Sequence, residues 1–459
     1  MPLILPGNVG SATAASGFDV SNSCRFNRAD SADMTLSMSS GGSQTKFTKS
    51  FWVKRCTVGE QHYIYDNSGT TQIFFHFRDS DKIGLGIFNS GAYSTELIST
   101  QLFRDVSAWY HFVIAVDYTN GTQAHRARIY VNGTEITAFD TGTRPGNDST
   151  TFDTFNSDKT HYIGSNASSN HYLHGYLAEV VHIDNAQLAP DQFGEFDEDT
   201  GIWKPIDVSG LTFGTKGYYL DYKASGNLGN DANGGTDWTE NNFAATDQSI
   251  DTCTNNFCTM NPLIPTTNAT FSEGNCKLAI GGSSIQGAGI GTFGLTTGKW
   301  YWEIKLLADK DNHTHGVISE LTEELYTNVT AIQNDGGVTS WINGDGGEVV
   351  VDGSASTADY GIMAENSIMG IALDLDNFKI TYLDDNSALV SNFNLSAERG
   401  TIFPLIKMGI NCTAEVNFGG CSAFAVSSAN SDADGHGNFE HAPPSGYFAI
   451  CSKNLAEYG

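Results

Sequence analysis

The chain has 459 residues, with 24 basic and 52 acidic side chains, and its formal net charge is −28. This length indicates more than one domain. A strongly negative field disfavours nucleic acid and anionic membranes as partners, because phosphate binding requires clustered lysine and arginine. No run of about 18 apolar residues is present, so we expect no membrane insertion. The first residues, M-P-L-I-L-P-G, also lack the features of a secretory signal.

The composition favours an all-β protein. The chain contains 50 glycines, 27 phenylalanines and 18 tyrosines, and no long segment repeats apolar residues at helical spacing. The eight cysteines are scattered and form no C-x-x-C motif. For a chain without a secretory signal we expect reduced thiols. The alternative is that Cys253 and Cys258, which flank a short T-N-N-F loop, pair in an oxidising compartment.

Residues 1–15 are small, apolar or glycine-rich, and they show no periodicity. We interpret them as an extended N-terminal arm. Such an arm becomes ordered when a partner holds it.

Short strands recur after the arm, separated by Gly, Asn and Asp turns, which is typical of a β-sandwich or jelly roll. The segment Arg126–Ile136 is predicted to be a hairpin, in which Asn132-Gly133 forms a type I′ turn and pairs Ile129 with Ile136. The clearest segments are Phe47–Lys54, Ile73–Phe77, Trp109–Asp117, Arg126–Ile136 and Gly175–Ile183.

Four motifs in this part of the chain follow a known order. They read F-W-V-K, W-Y-H-F-V, I-Y-V-N-G and G-Y-L-A-E-V-V-H-I-D-N-A-Q-L-A-P-D-Q-F. In this order they resemble the laminin-G-like, concanavalin-A-like lectin domain, and the resemblance covers about residues 16–205. It implies a jelly roll of two sheets, which we extend to residues 16–225.

Residues 226–262 are rich in Gly, Asn, Asp and Thr and contain few aliphatic side chains, so we interpret them as a connector. The second domain then covers residues 263–459. Its most regular stretch is Gly370–Tyr382, where apolar and polar residues alternate on both sides of Asp376-Asn377.

A two-residue turn at Asp376-Asn377 requires both residues to adopt positive φ and sets the register of this hairpin. The apolar side chains then face the core together, whereas Asp374 and Lys379 face the other way, toward solvent or the neighbouring sheet's polar side. The predicted core set is Ile371, Leu373, Leu375, Phe378, Ile380 and Tyr382.

Four further motifs characterise this second half. G-K-W-Y-W-E-I, G-I-A-L-D-L-D-N-F-K-I-T-Y, F-P-L-I-K-M and V-N-F-G occur in the order of the SPRY domain, which the half resembles. That family is a bent β-sandwich that binds protein or other ligands through its loops. The predicted fold class is therefore all-β, with two antiparallel β-sandwiches, a laminin-G-like jelly roll followed by a SPRY-like sandwich.

The whole chain resembles structural proteins of marine tailed bacteriophages. The opening M-P-L-I-L-P-G, the two halves, the connector and the tail P-P-S-G-Y-F-A-I-C-S-K-N-L carry this resemblance over nearly the full length. It implies a virion component, a fibre or surface protein whose partners are other virion proteins, further copies of the chain and a host-surface glycan. We expect the arm over residues 1–15 to dock into a neighbouring virion protein.

Loop aromatic residues are the candidates for glycan contact, since lectin-like domains bind through their loops and aromatic rings stack on sugars. In the first domain these are Tyr93, in N-S-G-A-Y-S, and His171 and Tyr172, in S-S-N-H-Y. The alternative is that they pack on the protein itself, as half-buried tyrosines often do.

A calcium loop is the main metal candidate. Asn430, Asp432 and Asp434, followed by Gly435, match the first half of an EF-hand loop, but position twelve is His441 instead of glutamate. We therefore favour a Gly/Asp-rich surface loop and expect no cofactor, with Ca²⁺ as the alternative.

Two weaker candidates have simpler interpretations. His313 and His315 have a spacing that metals accept, although we favour a solvated loop. The acidic run Glu195–Asp199 contains paired carboxylates, as glycoside hydrolysis requires, but we interpret it as a solvated face.

No catalytic signature is present: H-E-x-x-H, G-x-S-x-G, a P-loop and a Cys/His nucleophile motif are all missing. Gly84-Leu-Gly86 lies inside a strand-like segment and is not a phosphate cradle. We therefore predict a non-enzymatic protein of the virion. The alternatives are a polysaccharide depolymerase and a scaffold protein without a receptor role.

Overall fold

The structure is a computed structural model. It describes residues 17–39, 41–69, 71–89, 91–146, 159–264, 268–282, 286–308, 312–319, 338–342, 347–395 and 400–459. The predicted arm over residues 1–15 lies outside the described residues. The rest of the chain divides into two compact units, Ala15–Thr254 and Asn255–Gly459, called here the first and the second unit.

The first unit is built from short strands with a few single-turn 3-10 helices, at Arg28–Asp30, Gln123–His125, Pro190–Gln192 and Ala245–Asp247. Its strands are β1 Ser23–Phe26, β2 Asp33–Met38, β3 Lys46–Arg55, β4 His62–Asn67, β5 Gln72–Phe77, β6 Ile83–Asn89, β7 Ala92–Ser99, β8 Trp109–Asp117, β9 Ala127–Val131, β10 Thr134–Glu135, β11 Phe139–Thr143, β12 Lys159–Ile163, β13 Gly175–Asp184, β14 Gly194–Phe196, β15 Trp203–Pro205, β16 Tyr218–Leu220, β17 Thr239–Asn241 and β18 Gln248–Ser249.

Two large antiparallel sheets and the separate two-stranded β14–β15 hairpin form this unit. The first sheet has the strand order β10-β9-β8-β3-β13-β1-β18, with β16 also paired to β13, and the second has the order β11-β7-β6-β5-β4-β12-β2-β17. The buried rings of Phe51, Phe75 and Phe112 connect the sheets, with centroids 5.5 to 5.9 Å apart. The prediction of an antiparallel sandwich is confirmed.

The outer face of the first sheet is covered by the chain itself. Phe193, Val208 and Phe213 come from the segment that follows β13, and they pack in one buried cluster with Val181 and Tyr219 of the sheet. The outer face of the second sheet carries no such cluster among the described residues, and the candidate site lies there.

The hairpin predicted at Asn132-Gly133 is present. Both residues have positive φ, at 46° and 77°, as a type I′ turn requires. The backbone N–H of Ile136 donates to the carbonyl of Ile129 at 2.8 Å. Gly133 is also required by packing, because a Cβ there would lie 2.4 Å from the Trp203 ring.

Residues 226–262 were interpreted as a connector, but in the structure the part up to Thr254 belongs to the first unit. Strand β17 pairs with β2, and β18 pairs with β1, so this range completes both sheets of the first unit. Trp238 fills part of the core, and Asp247 forms a buried ion pair with Arg25 at 2.9 Å. The low aliphatic content suggested a loop because these strands are only two or three residues long.

The second unit is also a pair of mainly antiparallel sheets, and it ends in the short helix α1, Ser452–Tyr458. Its strands are β19 Ala269–Ser272, β20 Lys277–Ile280, β21 Gly287–Ile290, β22 Lys299–Leu306, β23 His313–Ile318, β24 Val338–Ile342, β25 Glu348–Val351, β26 Ser354–Ala355, β27 Ile368–Asp374, β28 Lys379–Asp384, β29 Ser387–Asn394, β30 Phe403–Met408, β31 Thr413–Asn417 and β32 Phe448–Ala449. One sheet has the order β19-β20-β31-β22-β27-β28-β29, with β32 paired to β22 in parallel, and the other has the order β21-β30-β23-β24-β25-β26.

The register predicted for the central hairpin of this unit is confirmed. Ile371 pairs with Tyr382, and Leu373 pairs with Ile380. These four side chains and Leu375 are buried in one core.

The predicted turn of this hairpin is wrong. The strands end at Asp374 and Lys379, so four residues connect them, and the residue with positive φ is Phe378, at 52°. The Phe378 side chain is 38% exposed instead of buried. Asp374 lies outside the apolar core, as predicted, but it is buried and not exposed to solvent, and its carboxylate lies 2.9 Å from the Lys299 amine.

Two further properties bear on function. None of the eight cysteines, all of which lie in described residues, forms a disulfide. Within the part of the chain that the structure describes, no helix combines the length and the apolar character needed to cross a membrane.

Candidate functional site

A continuous set of rings lies on the outer face of the second sheet of the first unit. Four of them follow one another in the order Tyr93, Phe74, Tyr63 and His171, with successive centroids 6.3, 5.7 and 6.0 Å apart. We call these four residues the aromatic row. They come from β7, β5, β4 and the loop before β13, so the row runs across the strands.

Two more rings support the row from the side. Phe88 of β6 contacts Tyr93 edge to face at a centroid distance of 5.2 Å. His76 of β5 lies 4.8 Å from Tyr63 and 5.2 Å from Phe74. Edge-to-face contacts of this kind fix ring orientation, because the ring edge is positive and the face is negative.

Strand alternation explains why these rings face outward. Ile73, Phe75 and Phe77 of β5 are buried in the core between the sheets. Phe74 and His76 lie between them in the sequence and therefore point to the opposite face. The same pattern places Ile87 of β6 in the core.

Two glycines of β6 let the rings lie across the strand. A Cβ on Gly86 would be 2.2 Å from Cζ of Phe74, and a Cβ on Gly84 would be 2.4 Å from Nε2 of His76. Carbon atoms pack at about 3.5 to 4.0 Å, so only glycine leaves room for these rings. The G-L-G motif thus has a structural role in the site.

Hydrogen bonds hold the row in place. The amide of Gln61 lies 2.8 Å from Nδ1 of His76 and donates to the Tyr63 hydroxyl at 3.4 Å. The backbone N–H of Tyr63 donates to the carbonyl of His171 at 3.1 Å, which ties the loop to the edge of β4. His171 itself has a left-handed backbone, with φ of 51°.

The electrostatic state of the row is set mainly by burial. Burial lowers the pKa of His76 to about 3, so this imidazole is neutral near pH 7. The pKa of Tyr63 is raised to about 12, mainly by burial and to a smaller extent by the nearby Asp66 carboxylate. Arg78 and Glu96 act on Tyr93 with opposite signs and provide charged groups beside the neutral rings.

The structure brings two of the three predicted glycan-contact residues together. Tyr93 is 43% exposed and His171 is exposed, and they form the two ends of the row. Tyr172 is half-buried and is not part of the row. Phe74 and Tyr63, which connect the ends, were missed because only loop aromatic residues were considered. The alternation of buried and outward-facing positions along β4 and β5 could have identified both residues.

The residues proposed as a calcium loop hold the end of the second unit together. Asp432 is buried, and its Oδ1 accepts hydrogen bonds from the backbone N–H groups of Asp434 at 3.0 Å and His436 at 2.8 Å. Its Oδ2 accepts from the backbone of Ala449 at 2.9 Å and from the side chain of Asn454 at 2.8 Å. Both oxygens therefore already have partners.

The remaining members of this loop are engaged as well. Asn430 donates to the carbonyl of Glu440 at 2.8 Å, and Asp434 accepts from the Tyr458 hydroxyl of α1 at 2.7 Å. The backbone N–H of His441 donates to the buried Glu303 at 2.7 Å. Among the described residues, no group of three or more His, Cys, Asp or Glu side chains is arranged to hold a metal ion. The expectation of no cofactor stays a prediction, with calcium as the alternative.

The other two candidates are placed differently. His313 and His315 lie in β23 and are fully buried, with Nδ1 of one 3.0 Å from Nε2 of the other. The solvated-loop interpretation of this pair is therefore wrong. Glu195, Glu198 and Asp199 are exposed around the β14–β15 hairpin.

Comparison with known proteins supports the domain content. The family described as the concanavalin A-like lectin/glucanases superfamily, of the laminin G group, matches residues 28–191. The first unit therefore contains a laminin-G-like, concanavalin-A-like domain. No curated protein shows significant sequence similarity to the chain.

Three solved structures are similar to parts of the chain. The TRIM65 PSpry domain has 14% identity and a TM-score of 0.30, covering 35% of this chain and 91% of its own. The SPRY domain of human HERC1 has 12% identity and a TM-score of 0.30, covering 36% and 99%. A candidate carbohydrate binding protein from Bacteroides ovatus has 19% identity and a TM-score of 0.33, covering 49% of this chain and 59% of its own.

Proposed function

We propose that this protein is a non-enzymatic structural component of a bacteriophage virion, and that its aromatic row binds a glycan of the host surface. The observation that supports binding is the row itself. Four neighbouring rings on the outer sheet face, two of them exposed and two half-buried, offer flat, apolar surfaces on which the apolar faces of sugar rings pack. The virion role is supported by the sequence resemblance to phage structural proteins over nearly the full length.

The surroundings of the row suit an uncharged or mixed-charge polysaccharide. Arg78 and Glu96, one of each sign, lie beside Tyr93. Their charged groups can donate to or accept from sugar hydroxyl groups, and such groups fix the orientation of a ligand whose rings already stack. The row crosses several strands and is open, which fits a polymer better than a single small sugar.

Binding is tested with polysaccharide prepared from host cells and the variants Tyr93→Ala and Phe74→Ala. We expect each substitution to raise the dissociation constant about tenfold or more, which corresponds to about 1.4 kcal/mol. The matched control is Phe378→Ala, which removes an exposed aromatic ring from the second unit. Equal affinity of the row variants and the wild type would refute the assignment of the glycan site.

The non-enzymatic part of the proposal is tested in the same incubation. Size-exclusion chromatography of the polysaccharide before and after exposure to the protein should show chains of unchanged length. Shorter chains would instead identify a depolymerase. If neither the protein nor the virion binds the polysaccharide, the protein is better explained as a scaffold without a receptor role.

The virion role is tested by immunogold electron microscopy of particles, where label on the particle surface is expected. The proposed partners are other virion proteins and further copies of this chain. A chain that lacks residues 1–15 should fold but fail to enter particles, since we propose that these residues dock into a neighbouring virion protein. Truncated protein at normal copy number in virions would contradict that role of the arm.

A further inference from the structure

A cavity of about 480 Å³ opens in the first unit, away from the aromatic row. It is formed around β16, which belongs to the first sheet, whereas the row lies on the second sheet. Its lining includes three aromatic side chains, Phe18, Phe213 and Tyr219, and three charged side chains, Asp207, Asp221 and Lys223.

The aromatic wall is held rigidly. Tyr219 stacks on Phe213 with a centroid distance of 6.1 Å and an interplanar angle of 15°. Asp231 accepts from the backbone N–H groups of Tyr219 at 2.9 Å and Asn233 at 3.0 Å, which closes the neighbouring loop over β16. The cavity is thus built from ordered, hydrogen-bonded elements.

A buried carboxyl group lies behind this wall. The Tyr219 hydroxyl donates to Oε2 of Glu179 at 2.5 Å, and Glu179 is 5% exposed. Glu179 lies at an irregularity in β13 and has a φ of 50°. A left-handed conformation is costly for a residue with a side chain, so the fold holds this carboxyl group in place at the expense of local strain.

The charges of the lining favour a cation. Asp207 and Asp221 provide two carboxylates against one amine, and the Lys223 Nζ already lies 3.3 Å from Oδ2 of Asp221. Asp207 accepts a hydrogen bond from the backbone of Ser209 at 2.9 Å and has no ion-pair partner among the described residues. Its negative charge is offset only in part by the Lys223 amine, which pairs with Asp221.

We infer that this cavity binds a small organic ammonium ion. Aromatic faces attract a cation through the negative charge of their ring faces, and a carboxylate adds a direct ionic contact. The half-buried Phe18 ring and the Asp207 carboxylate supply both interactions, and the buried rings of Phe213 and Tyr219 form the apolar wall behind them. This binding site is separate from the proposed glycan site and does not depend on it.

Choline is the probe, and its uncharged carbon isostere 3,3-dimethyl-1-butanol is the matched ligand. Isothermal titration calorimetry at constant ionic strength should show saturable binding of one choline per chain, about tenfold or more tighter than the isostere. Constant ionic strength is needed because a net charge of −28 attracts any cation diffusely.

Two variants test the site. Asp207→Asn keeps the shape of the side chain and should weaken choline binding about tenfold, and Phe18→Leu should weaken it with little effect on the isostere. The control Asp199→Asn makes the same change in charge on the exposed β14–β15 hairpin and should leave binding unchanged.

Three outcomes would overturn the inference. Equal affinity for choline and the isostere would mean that charge is not recognised. Equal weakening by Asp207→Asn and Asp199→Asn would mean that only the overall field acts. Absence of saturable choline binding would mean that the cavity is not an ammonium site.

Discussion

Gly86→Ala is the sharpest test of how the aromatic row is built. The added Cβ would lie 2.2 Å from Cζ and 2.6 and 2.7 Å from the two Cε atoms of Phe74. Carbon atoms pack at about 3.5 to 4.0 Å, so the end of the ring has to move by more than about 1 Å. Phe74 is half-buried on an open face, so we expect the ring to yield and the backbone of β6 to stay in place.

The cost to stability should be small. Turning a side chain about 30° away from its rotamer costs about 0.5 to 1.5 kcal/mol, and losing the edge contacts of Phe74 with its neighbours costs a similar amount. Replacing glycine by alanine within a strand returns about 0.5 to 1 kcal/mol of backbone entropy. We therefore expect the free energy of unfolding to fall by about 1 kcal/mol.

The cost to glycan binding should be larger. Phe74 connects Tyr93 to Tyr63, so its displacement interrupts the row at the centre. We expect the dissociation constant for host polysaccharide to rise about tenfold or more, equivalent to about 1.4 kcal/mol. Calorimetric titration measures binding, and urea denaturation measures stability on the same preparation.

Gly121→Ala is the matched control, because a Cβ at that position meets no atom within 4 Å. It should change neither quantity. Unchanged glycan binding by Gly86→Ala would show that Phe74 does not support recognition. A loss of folding would show that the ring cannot yield, and the packing argument would then be refuted.

The remaining predictions concern stability and metal. Leu373→Ala should lower the free energy of unfolding in urea by about 2 to 5 kcal/mol, because the side chain is fully buried; a loss below about 1 kcal/mol would contradict this. Asp374→Ala should cost about 1 to 3 kcal/mol, because it removes the buried partner of Lys299, and a value below 0.5, roughly that of a surface change, would contradict it. Burial raises the pKa of Glu179 from 4.5 to about 7, so the folded state binds the proton more tightly and stability should fall as the pH rises through this interval. Glu179→Gln should reduce that fall when melting temperatures are compared at pH 5 and pH 7.5, and an identical pH slope would refute the cause. A calcium chelator should leave the melting temperature unchanged, since both oxygens of Asp432 already accept hydrogen bonds; a decrease would support the calcium alternative.

The central hairpin shows what an alternating pattern can and cannot predict. Alternation specifies which side chains are buried, and a slip of one residue would expose the whole apolar set, so the pairing of Leu373 with Ile380 was predictable. The turn depends on local hydrogen bonds instead. Asp374 accepts from the backbone N–H of Asn377 at 3.0 Å and from its side chain at 2.9 Å, and Phe378 adopts the positive φ.

The candidate site was predictable only in part, for a related reason. Tyr93 and His171 were found because aromatic residues in polar loops are conspicuous in a sequence. Phe74 lies between two core residues of β5, Ile73 and Phe75. In a run of consecutive apolar residues, the residue that faces outward can be identified only after the strand and its alternation have been assigned. Its place above Gly86 depends on the pairing of β5 with β6, which is a property of the sheet and not of either segment alone.

The two proposed sites follow from an asymmetry of the first unit. The segment after β13 covers the outer face of the first sheet with Phe193, Val208 and Phe213, and the cavity around β16 is left at the border of this cover. On the outer face of the second sheet, Tyr93 and His171 are exposed and Phe74 and Tyr63 are half-buried. A concave cavity contacts a small ligand from several sides and selects for its charge, whereas a row of rings contacts a polymer along one side. Because the two sites share no residue and lie on different sheets, recognition of an ammonium ion and of a glycan can be altered independently in this unit.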